Sequence, residues 1–222
     1  MNPLEKYLMP TTSSSRRDFL SRTALSAGVT LGAIALARPA LAQTAATPAT
    51  ETTPAPPVTA PGDIEILNFA LGLERLEAAF YAQIQGAQGN RAYLSPRQLE
   101  AAQAIGASEI AHVSALEAAI LAAGGTLAPV ATFRFPANVF ISPVAFSWFG
   151  YTLEEIGIGA YLGAVGAIQS RDLRRAAASI YGSEVRHAAL LRSFGGFTFA
   201  PRYFESPLTV AQVQTLVAPY IA

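Results

Sequence analysis

The sequence contains no cysteine and only two histidines. The absence of cysteine excludes disulfide bonds, thiolate zinc sites, iron–sulfur clusters and cysteine nucleophiles. Any metal ion in this protein is therefore expected to be bound by nitrogen and oxygen atoms. Lysine is almost absent too, and the 15 basic side chains are balanced by 15 acidic ones. A nucleic-acid-binding protein needs a basic surface, so this charge balance argues against nucleic acid as a partner.

Apolar residues are abundant and recur at helical spacing. They make up 51% of the 222 residues, which is enough for one domain with a substantial core. Alanine is the dominant apolar residue, and alanine has the highest helix propensity of all residues. The composition therefore predicts a single all-α domain.

The first 42 residues have the features of an export signal. An apolar stretch, Ala24–Ala37, is followed by the small residues Ala40 and Ala42 in a small-x-small pattern. This order predicts a signal peptide over residues 1–42, cleaved after Ala42. Because the apolar stretch is shorter than the about 20 residues that a membrane-spanning helix needs, we expect no permanent membrane span.

An arginine pair precedes this apolar stretch. Arg16 and Arg17, in the setting SRRDFL, resemble a twin-arginine export signal, whose machinery moves folded proteins across the bacterial inner membrane. The resemblance implies the twin-arginine export machinery as a partner and a periplasmic or extracellular location. A general secretory signal with two incidental arginines is the alternative.

Residues 43–62 consist mainly of Thr, Ala and Pro. They contain almost nothing to bury, so they cannot offset the entropy of ordering, and we predict a disordered linker. The folded domain is expected to span residues 63–222.

Helix starts are indicated by small polar or acidic residues before an apolar pattern, and helix ends by glycine. The predicted helices run from Asp63 to Gly86, from Ser95-Pro96 to Gly124, from Ser142-Pro143 to about Gln169 and from Ser170 to Gly195, with a short C-terminal helix after Thr209. The connections within each helix pair are short, whereas residues 125–141 between helices two and three form a long one. We therefore predict a four-helix bundle with one long crossover between helices two and three.

The two helix pairs repeat a pattern of acidic and aromatic residues. Helix one has Glu74 with Tyr81 seven residues later, and helix three has Glu154 with Tyr161 at the same spacing. Helix two has the sequence Ser-Glu-x-x-His ending at His112, and helix four repeats it ending at His187. The chain is thus an approximate duplication.

This spacing places each glutamate on the same helix face as its histidine or tyrosine. If those faces point inward, four carboxylates and two imidazoles converge in an apolar core. Buried carboxylates cannot remain ionised without compensating cations, because burial and mutual repulsion raise their pKa values. Two divalent ions would supply four positive charges, and the oxygen and nitrogen donors suit iron or manganese.

Several alternatives compete with this interpretation. A single Glu-x-x-His is usually a surface ion pair, but two copies together with two Glu-x6-Tyr pairs favour a metal site. Glu77 aligns with Gly157 in the repeat and is interpreted as an outer acid or an asymmetric extra ligand. Glu155 aligns with Arg75 and is expected to be solvated, and Glu117 is interpreted as a surface residue without a counterpart. The tyrosines could also be plain core aromatics.

The motifs resemble those of the ferritin-like superfamily. LNFALGLERLEAAFYAQ, residues 67–83, and FESPLTVAQVQTLVAPYIA, residues 204–222, are most similar to the exported ferritin-like family that includes the plant desiccation-related proteins. The resemblance implies that six residues bind metal: Glu74, Glu109, His112, Glu154, Glu184 and His187. It also implies that Tyr81 and Tyr161 are hydrogen-bond donors that orient these carboxylates.

The expected function follows from this resemblance. It implies a centre of two iron or two manganese ions that reacts with oxygen or peroxide, in a ferroxidase-like or catalase-like manner, during oxidative or desiccation stress. The alternative is a non-catalytic stress protein with a vestigial or weakly occupied site. A homo-oligomer is compatible with both, whereas the linker, the bulky crossover and the C-terminal extension argue against an iron-storage cage.

Overall fold

A computed structural model describes residues 62–85 and 91–222. These residues form five α-helices and no strand: α1 Asp63–Ala82, α2 Pro96–Ala122, α3 Pro143–Ala164, α4 Arg171–Phe194 and α5 Val210–Val217. Two 3-10 turns, Ala137–Phe140 and Ala218–Tyr220, lie in the crossover and at the C-terminus. The all-α prediction is confirmed. The predicted signal peptide, with Arg16, Arg17, Ala40 and Ala42, lies outside the described residues, as do residues 43–61 of the predicted linker.

Four helix starts lie where the sequence predicts them. Ser95 and Thr209 form capping boxes with Gln98 and Gln212, in which side chain and backbone bond each other reciprocally. The Ser142 hydroxyl accepts from the amide of Ala145 at the start of α3, and Ser170 caps α4 in the same way. Each cap needs only residues three positions apart, so local sequence is sufficient to specify it.

The predicted cap of α1 is wrong. Gly62, with φ 102°, occupies the cap position, and Asp63 is the first helical residue. The buried Asp63 carboxylate instead accepts hydrogen bonds from the backbone amides of Gln169 and Ser170, both at 2.9 Å. Asp63 therefore joins the start of α1 to the start of α4.

The third helix ends at Ala164, five residues before its predicted end at Gln169. The physical reason lies in the next helix. Ser170 is extended where it caps α4, and the amide of Gln169 is bonded to Asp63, so α3 has to end before these two residues. The chain turns between the two helices instead.

The C-terminal segment after α4 packs against α3. The amide of Leu208 donates to the carbonyl of Gly159 at 2.8 Å. A Cβ atom at Gly163 would lie 2.0 Å from the Leu208 carbonyl oxygen, so only glycine fits there. α3 is buried along most of its length from Phe146 to Tyr161. Its glycines allow close approach by neighbouring chain.

Helix α2 is the one helix of the described residues that is long and apolar enough to span a membrane. The core helix of a soluble protein, or a signal sequence, can have the same length and apolar composition. In this fold α2 packs along α1, and α3 packs along α4. Helices α2 and α4 also contact each other, although less extensively than α1 and α3 do.

Two hydrophobic clusters form the core. An aromatic cluster surrounds Phe80, which stacks on Phe146 with ring centroids 5.0 Å apart. An aliphatic cluster surrounds Leu71 and Ile120. Tyr81 belongs to the first cluster and Tyr161 to the second, so the polar residues associated with these tyrosines lie between two apolar regions.

Candidate metal centre

The structure brings the six predicted metal ligands together in the core. Helices α1 and α3 contribute Glu74 and Glu154, and α2 and α4 contribute the two Glu-x-x-His motifs. The four glutamates are 0% exposed. The histidine side chains keep a small exposed fraction, 13% for His112 and 11% for His187. The helical spacing predicted this convergence because each motif lies on one inward face.

The six residues form two overlapping groups. One consists of Glu74, Glu109, His112 and Glu184, and the other of Glu109, Glu154, Glu184 and His187. Within each group the ligand atoms lie within 4.8 Å of one another, so each could hold a metal ion. Glu109 and Glu184 belong to both groups.

The histidines point the same ring nitrogen into the site. The Nδ1 atom of His112 lies 3.0 Å from Glu109, and 3.1 Å from both Glu74 and Glu184. The Nδ1 atom of His187 lies 2.9 Å from Glu109, 3.3 Å from Glu154 and 3.8 Å from Glu184. Each imidazole thus faces three carboxylates, one from its own helix and two from others.

Each tyrosine donates a hydrogen bond to the glutamate of the other helix pair. The Tyr161 hydroxyl donates to Glu74 Oε1 at 2.6 Å, and the Tyr81 hydroxyl donates to Glu154 Oε1. Helix geometry explains why each tyrosine bonds the glutamate of the other pair and not the one on its own helix. Residues seven apart on one helix are separated by about 10.5 Å along its axis, too far for a direct hydrogen bond. The tyrosines therefore reach across to the facing helix.

Two serines lie behind the histidines. Ser108 Oγ is 3.4 Å from His112 Nε2, and Ser183 Oγ is 3.4 Å from His187 Nε2, while the two hydroxyls are 3.5 Å apart. Sequence reasoning assigned these serines no role, although both precede a Glu-x-x-His motif. Both hydroxyls thus lie near the outer ring nitrogens, and a partner at that nitrogen fixes the tautomer of a metal-binding histidine.

Burial and charge change the pKa values in this site. Burial raises the pKa of Glu74 to about 8, and contact with His112 only partly opposes that rise. Burial also raises the pKa of Glu154. Burial lowers the histidine pKa values, but the surrounding glutamates outweigh this and raise both to about 12. The same histidines lower the pKa of Glu184 to about 2, against the effect of its burial.

Glu109 and Glu184, which belong to both groups, show whether a cation fits this site. Glu109 Oε1 and both Glu184 oxygens are buried and have no hydrogen-bond partner among the described residues. The closest histidine nitrogens approach Glu109 Oε1 and Glu184 Oε1 within 3.1 Å but lack hydrogen-bond geometry. Buried charged oxygens without donors are costly. Oxygen and nitrogen lone pairs that converge in this way fit a bound metal ion.

Glu77 also lies at this site, outside both groups. It is 2% exposed, and its Oε2 atom has no hydrogen-bond partner among the residues that the structure describes. The expectation that Glu77 is an outer acid or an extra ligand agrees with this position but is not decided by it.

The expectation that Glu155 is solvated is wrong. Glu155 is 5% exposed, because the C-terminal segment covers it, and it forms ion pairs with Arg192 and Arg202. The first half of the repeat contains the related pair Arg75–Glu117 at 2.8 Å. Glu117 therefore has a counterpart, Arg192, and the two halves carry the same ion pair with the charges exchanged.

Comparison with known proteins supports the fold and the family. No curated protein matches the chain. A family model described as the ferritin-like domain matches residues 62–196, which contain all six predicted ligands. This match covers more than half of the chain, and the helices and the buried acidic site agree with it. The protein therefore belongs to the ferritin-like domain family.

Proposed function

We propose that this protein binds two iron or two manganese ions and that the loaded centre reacts with oxygen or peroxide. The observation that carries the proposal is the overlap of the two four-residue groups, which share Glu109 and Glu184. A site for two neighbouring ions needs carboxylates that contact both ions, and Glu109 and Glu184 would supply them in this proposal.

The remaining residues divide equally between the two positions. Glu74 and His112 would hold one ion, and Glu154 and His187 the other. Four carboxylates balance the charge of two divalent ions, which removes the cost of burying them. When bound, such an ion pair supplies the redox and Lewis-acid chemistry that activates a small oxidant.

The chain orients the ligands and limits access to them. Tyr161 and Tyr81 hold the carboxylates of Glu74 and Glu154 in place. The two hydrophobic clusters exclude water from most sides. The exposed edges of the histidines mark the side nearest to solvent, between α2 and α4. A molecule as small as oxygen or peroxide is expected to enter there.

The first test is elemental analysis of the protein purified without added metal. We expect about two iron or two manganese ions per chain, and the element found names the metal. The double variant Glu109→Ala, Glu184→Ala removes both shared carboxylates and should lose this metal. The matched control Glu65→Ala, Glu100→Ala removes two exposed carboxylates from α1 and α2 and should keep it. Equal metal content in both double variants would refute the site.

A second assay separates the two activities. Iron-loaded protein is tested for oxygen consumption with ferrous iron, and manganese-loaded protein for oxygen release from peroxide. Metal bound without turnover in either assay would favour the alternative, a non-catalytic stress protein built on the same fold. The complete ligand set, with tyrosines oriented toward it, supports the catalytic proposal.

Export and a role in stress belong to the same proposal. The Arg16–Arg17 pair supports folded export by the twin-arginine machinery. The variant Arg16→Lys, Arg17→Lys should leave the protein in the cytoplasm in a cell-fractionation experiment, whereas a general secretory signal would tolerate the change. Increased killing by peroxide or drying in cells that lack the protein would support the stress role.

A further inference from the structure

Glu77 is a buried acid for which the six-residue site gives no explanation. It lies one turn after Glu74 on α1 and is 2% exposed, and its Oε2 atom accepts no hydrogen bond from residues 62–85 or 91–222. Burial raises its pKa, and the charges of Glu184, Glu74 and Glu154 raise it further. A carboxyl group kept in such a place at a cost to stability needs either a cation or a specific role.

The opposite helix leaves space for this carboxyl group. Gly157 is the residue that the repeat aligns with Glu77, and a Cβ atom there would lie 3.1 Å from Glu77 Oε1. The same Cβ atom would lie 3.9 Å from Glu184 Cγ, so the Glu77 carboxyl group lies close to a shared ligand. Gly157 does not have a positive φ, and glycine inside a helix costs about 1 kcal/mol relative to alanine. Its conformation does not require glycine, but the Glu77 carboxyl group leaves little room for a side chain at this position.

We infer that Glu77 is a seventh protein ligand of the metal centre, which it enters beside Glu184 through the space left by Gly157. This inference rests on the proposed two-ion site. Neither four-residue group contains Glu77, so its side chain has to rotate toward an ion when metal binds. Within the described part of the chain, Oε2 has no hydrogen bond that this movement would break.

A seventh ligand makes the two halves of the site unequal. Position 157 has no side chain, so no second acid balances Glu77 in the other half of the repeat. The site then contains five carboxylates against the four positive charges of two divalent ions. We therefore expect one ion to bind more tightly than the other.

The test is a titration of the metal-free full-length protein with Co²⁺. Calorimetry measures the binding of each ion, and visible absorption reports on its ligands. The variant Glu77→Gln keeps the size of the side chain and removes its charge. We expect the dissociation constant of one of the two ions to rise about tenfold or more, with a changed cobalt absorption band. The control Glu65→Gln removes the same charge from an exposed position on the same helix and should match the parent.

A second variant tests the inference without changing Glu77. Gly157→Ala places a methyl group against the carboxyl group and should weaken the same ion by a smaller factor. In crystals of the Co²⁺-loaded parent, anomalous scattering should show a Glu77 oxygen within about 2.2 Å of cobalt. This measurement decides the inference even if a variant does not fold.

The outcomes separate this inference from the proposed function. Two cobalt ions bound by the parent and by Glu77→Gln, with the same affinities and the same spectrum, overturn the role of Glu77 but leave the two-ion site. A Glu77 oxygen far from both ions in the crystal has the same meaning. No cobalt bound by the parent overturns both.

Discussion

At the residue scale, the site depends on hydrogen bonds that cross between the two halves of the repeat. Tyr161 bonds Glu74, and Tyr81 bonds Glu154. Burial raises the pKa of both tyrosines, and so does the bonded carboxylate, so both hydroxyls remain donors. Each half of the site is therefore oriented by the other half.

These crossed hydrogen bonds predict which of the two ions each tyrosine helps to bind. Tyr161→Phe removes the donor to Glu74 and should weaken the ion held with His112, whereas Tyr81→Phe should weaken the ion held with His187. We expect the affinity to fall about 10-fold to 100-fold for the affected ion, measured by calorimetric titration with Mn²⁺. Tyr203→Phe, at a side chain that is 77% exposed, is the control. Unchanged affinity in both variants would make the tyrosines simple core aromatics.

The pKa values predict that metal binding depends on pH. In the metal-free protein, Glu74 has a pKa of about 8 and both histidines have values of about 12, so protons occupy the site at neutral pH. Metal must displace these protons, so the apparent affinity should rise about tenfold per pH unit for each proton released. Titrations between pH 6 and pH 8, in buffers of different ionisation enthalpy, count the protons. An affinity that does not change with pH would contradict the proton-filled site.

At the scale of elements, the C-terminal segment determines the environment of α3. Arg202 in this segment reaches Glu155, and the amide of Leu208 bonds Gly159. The segment lies beyond residue 196, where the match to the ferritin-like domain ends. It buries the face of α3 opposite the metal centre, which is the reason why Glu155 is not solvated.

Close contact at Gly163 gives a prediction for this element. Gly163→Ala places a Cβ atom 2.0 Å from the Leu208 carbonyl oxygen, so the backbone must move. We expect a loss of about 2 kcal/mol or more in the free energy of unfolding, measured by urea denaturation. Gly72→Ala is the matched control, because a Cβ atom at that helical glycine meets nothing within 4 Å. It should stabilise the protein by about 0.5–1 kcal/mol. Equal effects at both positions would show that the segment does not pack tightly on α3.

At the scale of the whole molecule, the site links the two helix pairs. Each group of ligands draws residues from both pairs, so a bound ion connects helices that the chain joins only through the long crossover. Without metal, the same region contains buried carboxylate oxygens that form no hydrogen bond within the part of the chain that the structure describes. Metal binding is therefore coupled to the stability of the bundle.

Removal of metal should lower the melting temperature. A ligand present at 100 times its dissociation constant stabilises a folded protein by about 2.7 kcal/mol, which corresponds to several degrees for a chain of this size. We expect added Mn²⁺ to raise the melting temperature of the metal-free protein in differential scanning calorimetry. The Glu109→Ala, Glu184→Ala variant should show no such rise. A rise of equal size in that variant would assign the effect to another binding site.

Much of the fold could be predicted because its signals are local. Ser95, Ser142, Ser170 and Thr209 each cap a helix through an amide three residues away. Asp63 could not be assigned in the same way, because its hydrogen-bond partners lie more than 100 residues away. The predicted end of α3 was too late because Gln169, where it was placed, is bonded to the distant Asp63.

The sequence by itself determined the helix pairs, their duplication and the residues that point inward, because helical spacing decides which side chains share a face. Only the tertiary structure decided which carboxylates belong to both ligand groups, which glutamate each tyrosine bonds, and that Glu155 is buried. These features depend on distances between helices and on the path of the C-terminal segment. They involve residues that are far apart in the chain, and no local pattern specifies those distances.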